Sequence, residues 1–166
     1  MRGWIIGLLC LLPVSALAAD TFHLDSLAGV YKHRFPNGDV SGETYQSEDI
    51  LEVVPLDPKT AYVRTRLEFY NGHLCSLSAV GHIEGDALVL RPHTSPDKQC
   101  ELRLTVRAGQ LRFDDTGDCR AYFCGARGGF VNQGFALSAR RPIRYMTRLK
   151  ASREFAQALD EAHIAH

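Results

Sequence analysis

The sequence predicts an all-β fold: a small antiparallel meander of seven or eight strands, closed as a barrel or folded as a sandwich, with a C-terminal helix. Three observations carry this. Apolar residues alternate with period two far more than with period 3.6. The connections are short and rich in residues that tolerate positive φ. No crossover helix separates the alternating segments, as parallel pairing would require.

The elements follow in order. Ala28 to Arg34 and Asp49 to Val54 read as the first two strands, with Pro36-Asn37-Gly38-Asp39 as a turn between them. In the third, Ala61, Val63, Leu67 and Phe69 share one face, and Tyr62, Arg64, Arg66 and Glu68 the other. Cys75 to Ile83 and Ala87 to Arg91 come next, joined by Glu84-Gly85-Asp86. Cys100, Leu102, Leu104 and Val106 then alternate with Glu101, Arg103, Thr105 and Arg107. Across Ala108-Gly109, Leu111 and Phe113 alternate with Gln110 and Arg112. These are half-buried strands with one wet face. Gly134 to Ser138 is the last, and the bulk of Leu67, Phe69, Leu102, Leu104, Leu111 and Phe113 predicts a filled interior.

Residues 139–166 differ. Ser152 is a natural N-cap for a short helix with Phe155, Leu159 and Ala162 on one face. Before it, Arg140, Arg141, Arg144, Arg148 and Lys150 form a basic surface. That stretch reads as a helix, with Arg140, Arg144 and Arg148 on one stripe, or as a strand in which Ile143, Tyr145, Thr147 and Leu149 alternate with polar neighbours; the pattern leaves both open.

The N-terminus carries Arg2, an apolar run from Trp4 to Leu12, Pro13, and the small-x-small site Ala16-Leu17-Ala18. This reads as a signal peptide, residues 1–18, cleaved after Ala18. The apolar run is shorter than the roughly 20 residues that span a bilayer. The expected organisation is therefore a signal peptide, a β domain over 19–138, and a basic segment with a short helix over 139–166. The expected location is periplasmic or secreted, with no transmembrane helix in the mature chain. Residues 19–134 hold 12 Lys/Arg against 16 Asp/Glu, and residues 135–166 hold 6 against 3. This asymmetry is too slight to argue for nucleic acid.

Removing the signal leaves Cys75, Cys100, Cys119 and Cys124, an even number that in an exported chain reads as two disulfides. The favoured pairing is Cys75–Cys100 with Cys119–Cys124, in which the loop over 92–99 brings Cys100 to Cys75; the meander makes it feasible without compelling it. Extending the Val106–Leu111 hairpin places Cys100 opposite Gly117, so Cys100–Cys119 stays open. The Cys-x4-Cys spacing with scattered single histidines matches no usual zinc pattern, and no metal or cofactor is expected. Asp114, Asp115 and Asp118 lack the spacing of a calcium loop.

The densest motif runs from Cys119 through Arg120, Tyr122, Phe123 and Cys124 to Gly125-Ala126-Arg127-Gly128. It reads either as a stapled corner or as a preorganised recognition loop that loses little entropy on binding. Together with Arg140-Arg141-Pro142-Ile143-Arg144-Tyr145-Met146, this C-x4-CGARG run resembles a group of small exported proteobacterial proteins. The resemblance covers residues 119–152 and implies export. In architecture the chain is also loosely similar to lysozyme-inhibitor and lipocalin-like small barrels, a likeness of fold alone.

The leading expectation is a non-enzymatic interaction or inhibitor protein, with Arg120, Tyr122, Phe123 and Arg127 as partner-binding residues and no catalytic residues. Its partner would be another exported protein, with a cell-wall-lytic enzyme such as lysozyme as a candidate, or an anionic cell-envelope surface. A lipocalin-like carrier of a small apolar ligand and a hydrolase without a recognisable motif are the alternatives.

Overall fold

The computed structural model describes residues 22–95 and 99–164; residues 1–18, read above as a signal peptide, and the expected cleavage site lie outside them. After a one-turn helix α1 (Leu24–Leu27) come β1 (Gly29–Gly38), β2 (Thr44–Pro55), β3 (Thr60–Glu68), β4 (Leu74–Glu84), β5 (Ala87–Leu90), β6 (Leu102–Arg107) and β7 (Gln110–Asp115). Then follow α2 (Cys119–Phe123), β8 (Gly134–Ala136), α3 (Met146–Lys150) and α4 (Arg153–Glu161). Each strand pairs antiparallel with the next, in the order β1 to β8. The expected meander is present, as a nearly closed barrel.

The alternation dictates the inside. Tyr31, Leu51, Val63, Leu67, Leu88, Leu90, Leu102, Leu104, Leu111 and Phe113 are all essentially without solvent exposure and fill the interior as one cluster. Val106, expected on the same face, sits at the end of β6 and is 40% exposed. β1 runs on through Pro36 and Asn37, so the turn falls at residues 39–43 instead of at Pro36–Asp39. An edge position accepts proline, whose missing N–H faces no partner. At the β6–β7 hairpin, Ala108 (φ 50°) and Gly109 (φ 74°) form the two-residue turn, with Val106 opposite Leu111 as expected.

β8 has only three residues, and the sheet closes across a seam, not a ladder. Beyond β8, the Val30 N–H donates to the Arg141 carbonyl (2.8 Å) and the Arg141 N–H to that of Val30 (2.9 Å). Gly29 makes this approach possible: its φ is 146°, and a Cβ there would stand 2.7 Å from the Arg141 oxygen. Inside the seam the rings of Tyr31 and Phe135 meet at 6.2 Å.

Both ends of the barrel are plugged. At one, α1 inserts Leu24 and Leu27 into the interior cluster, and the Tyr31 hydroxyl donates to the Leu27 carbonyl (2.9 Å). At the other, residues 116–133 fold over the strand ends as a lid and drive Phe130, fully buried, against Phe113 at 5.9 Å between centroids.

A second apolar cluster lies outside the barrel. α3 and α4 lay Leu149, Phe155, Ala158 and Leu159 over Val54, Tyr62 and Val80 on the outer face of β2–β4. Ser152 caps α4 as expected, accepting from the Phe155 N–H (3.2 Å). The stretch 139–150 is neither one long helix nor a strand. A 3₁₀ turn over Leu137–Ala139 leads to the Arg141 bridge, and only Met146–Lys150 is helical, so Arg140, Arg144 and Arg148 do not form a single stripe.

Candidate functional site

The disulfides pair Cys75 with Cys124 and Cys100 with Cys119, correcting the favoured Cys75–Cys100 and Cys119–Cys124. Local geometry explains both outcomes. Cys119 and Cys124 stand at the two ends of the one-turn helix α2. Five residues at about 100° each point their side chains roughly 140° apart around the axis. Cys100 lies where the β6–β7 hairpin, prolonged past its ladder, sets it near Cys119: the Thr116 N–H still donates to the Glu101 carbonyl at 3.1 Å. Beyond α2 the chain forms a bridge with the start of β4, Cys124 facing Cys75, and the Gly125 N–H donates to the Leu74 carbonyl at 2.8 Å. The two disulfides fit an oxidising compartment.

The lid is thus tied to the wall at two points. Asp115 accepts from the N–H groups of Cys119 (3.3 Å) and Arg120 (3.1 Å), satisfying the first turn of α2. Arg120, expected to project, instead turns back: its Nε donates to the Gly128 carbonyl and a terminal nitrogen to that of Ala126, each at 2.9 Å. Gly128 must be glycine, because a Cβ there would meet the Cys75 sulfur at 2.8 Å.

The four expected partner-binding residues separate. Arg120 holds the lid together. Phe123 packs on the interior cluster and lines a shallow cleft on the barrel wall with Ser76, Ser78 and His93. Tyr122 is 39% exposed beside it, its ring 6.4 Å from that of Phe123. Arg127 alone joins a wider surface: its guanidinium lies over the Tyr70 ring, 5.6 Å from the centroid. Tyr70 reaches the neighbouring β1–β2 turn, donating to the Asp39 carbonyl at 2.5 Å, and the Val40 N–H donates to Asn71 Oδ1 at 3.4 Å. Val131 shares with Arg127 an open cleft of about 360 Å³ whose walls include Phe69 and Gln133. Val40 (73%), Val131 (57%) and Tyr70 (43%) are the most exposed large apolar side chains among the described residues. Sequence reasoning missed these three; the one signal was Asn71-Gly72, whose positive φ angles (61° and 69°) turn Tyr70 outward.

The basic surface separates too. Arg140 donates to the carbonyls of Asp25 and Ser26, fastening α1, and Arg141 bonds the carbonyls of Ser138 and Arg140 while bridging the seam. Arg144, Arg148 and Lys150 remain exposed around α3.

A second concavity lies on the wall. On the outer face, β-pairing sets Lys32, Ile50, Arg66 and Ser76 in one row, and Glu52, Arg64 and Ser78 in the next. Glu52 is 1% exposed, held by Arg64 (Nε at 2.5 Å, a terminal nitrogen at 3.0 Å) and by the Tyr145 hydroxyl. Burial, and then the bond to Glu52, push the Tyr145 hydroxyl up to about 12, and Glu52 raises Arg64 in turn. With Arg148 and Glu154 these residues enclose a groove of about 450 Å³.

Among the described residues no helix is long and apolar enough to cross a membrane, and no three His, Cys, Asp or Glu side chains converge as metal ligands would. Compared with known proteins, the chain matches no family model, no curated protein and no solved structure.

Proposed function

We propose that this protein is a non-enzymatic interaction protein of the periplasm or the secreted fraction, which docks its lid end on another exported protein and blocks it. The observation that carries the reading is the lid-end surface: Arg127 seated on Tyr70, flanked by exposed Val131 and joined by the Tyr70 turn to Val40, on a backbone tied by two disulfides. Tyrosine and arginine are among the residue types that dominate interface hot spots, and the exposed valines supply apolar area around them. A backbone already fixed loses little entropy on docking.

A cell-wall-lytic enzyme such as lysozyme is the partner to test first. Glycan-cleaving enzymes work with a pair of carboxylates in a cleft, and an arginine carried on an apolar rim complements such a cleft in charge and shape. Surface plasmon resonance of the unreduced protein against lysozyme is expected to show saturable binding. The pair Tyr122→Ala and Arg127→Ala, and separately Val131→Asp, should weaken it at least tenfold at an unchanged melting temperature. Variants that bind like the wild type sink the lid as the contact surface. A wild type that does not bind removes lysozyme as the target.

A further inference from the structure

The groove on the barrel wall is far from idle charge. We infer that it is a binding site for a small hydroxylated anion of the acidic-sugar class, separate from the lid surface.

The argument begins with charge. Four cations line the groove, Lys32, Arg64, Arg66 and Arg148, against two carboxylates, Glu52 and Glu154. Arg64 is committed to Glu52, and the Tyr145 hydroxyl completes that buried set, so the floor is rigid and internally neutralised. Three cations remain. Lys32 shares the single carboxylate of Glu48 with Arg34, both at 2.6 Å, leaving one positive charge in excess there. Arg66 contacts Glu68 at 3.1 Å through one nitrogen and is 56% exposed along its side chain. Arg148 has no carboxylate within ion-pair distance among the described residues. Its guanidinium lies on the Tyr145 ring, 5.4 Å from the centroid, which orients its planar fork beside the groove.

The ligand class follows from what else lines the walls. An unpaired, preoriented guanidinium calls for a carboxylate or phosphate oxygen pair. Ser76 and Ser78 offer hydroxyls, and Glu154 an acceptor, which suits the hydroxyl groups of a sugar. A bare phosphate would bring its charge against the Glu154 carboxylate with few hydroxyls to offer it. A neutral sugar would leave Arg148 unpaired. A carboxylated sugar uses both sets, and about 450 Å³ lies within the usual range of small-molecule sites. A free uronic acid and the acidic end of a polysaccharide share this chemistry.

Isothermal titration of the unreduced protein at low salt, with sodium glucuronate as probe and glucose and inorganic phosphate as controls, tests the site. Glucuronate is expected to bind saturably and more tightly than either control. Arg148→Ala and, separately, Arg66→Ala should each weaken it at least tenfold with melting temperature unchanged, while Arg127→Ala leaves it untouched. A glucuronate-ended oligosaccharide that binds tenfold tighter than the monosaccharide identifies a polysaccharide end as the ligand; equal affinity identifies the free sugar. Three results overturn the site: no saturable glucuronate binding, glucose or phosphate binding as well as glucuronate, or an Arg148→Ala titration that superimposes on the wild type.

Discussion

At the α1 end of the barrel the strands are joined by connections of four, two and two residues, whereas at the lid end they are joined by five, five, eleven and eighteen. The short turns need only local chemistry, such as the positive φ of Ala108 and Gly109, and leucines from α1 complete the plug. The long lid has few ladder bonds of its own. Its order comes from two disulfides, the Arg120 bonds to lid carbonyls, the Asp115 cap and the buried Phe130 ring. The difference teaches where such a barrel holds exposed side chains still: on a connection long enough to carry them and cross-linked enough to fix them.

Removing the Cys75–Cys124 bridge by serine substitution is the strongest test of that contrast. At a sequence separation of 49, loop-closure entropy assigns it about 4 kcal/mol, against about 3 for Cys100–Cys119 at a separation of 19. Urea unfolding of each variant measures both. If the order reverses, lid stability does not follow loop closure.

At the opposite end Leu27→Ala, which empties a site 2% exposed, is expected to cost about 3 kcal/mol. Its effect should leave lid amides as protected as in the wild type by hydrogen exchange. Loss of lid protection would show the two plugs to be one cooperative unit.

Arg120→Ala should release the lid backbone at Ala126 and Gly128, at about 2 kcal/mol for two charge-assisted hydrogen bonds. The loss is read as faster exchange confined to residues 116–133. Conversely, Ala108→Asn at the α1 end should stabilise the protein by roughly 1 kcal/mol, because asparagine accepts the left-handed conformation more readily than alanine.

The smallest effect concerns pH. Asp49, whose interior-facing position lies toward the lid end, is 9% exposed, accepts from the Glu68 N–H at 2.7 Å and stands 3.9 Å from His33. Burial pulls its carboxyl above the usual range, more strongly than the Glu68 N–H and His33 lower it. A folded-state value raised for an acid favours folding while the group is protonated. That contribution is present below the unfolded value of about 4 and is lost as pH rises through the folded one. Asp49→Asn keeps an acceptor oxygen and should remove this part of the pH slope. A urea midpoint that varies with pH as steeply in the variant as in the wild type would assign the slope to other groups.

Much of this was legible residue by residue. The alternation of Leu102, Leu104, Leu111 and Phe113 marked interior positions, Ser152 marked a helix start, and the Val106–Leu111 register already brought Cys100 toward Cys119. The candidate sites were less so. Arg120 and Arg127 look alike on the page, seven residues apart in one glycine-rich run. One is consumed by its own loop, and the other rests on a tyrosine from the β3–β4 connection. The groove was invisible because Lys32, Glu52, Arg64, Ser78 and Arg148 come from five separate stretches of chain.

What the sequence determined by itself is what acts over a few residues: period-two burial, turn conformations and a helix cap. The tertiary structure decided the pairing of Cys75 with Cys124, the closure of the seam at Gly29 and Arg141, and the gathering of charges on the wall. Those depend on the path of long connections and on how eight strands curl around one core. Contacts between distant segments are selected by the packing of the whole and leave no local periodicity behind.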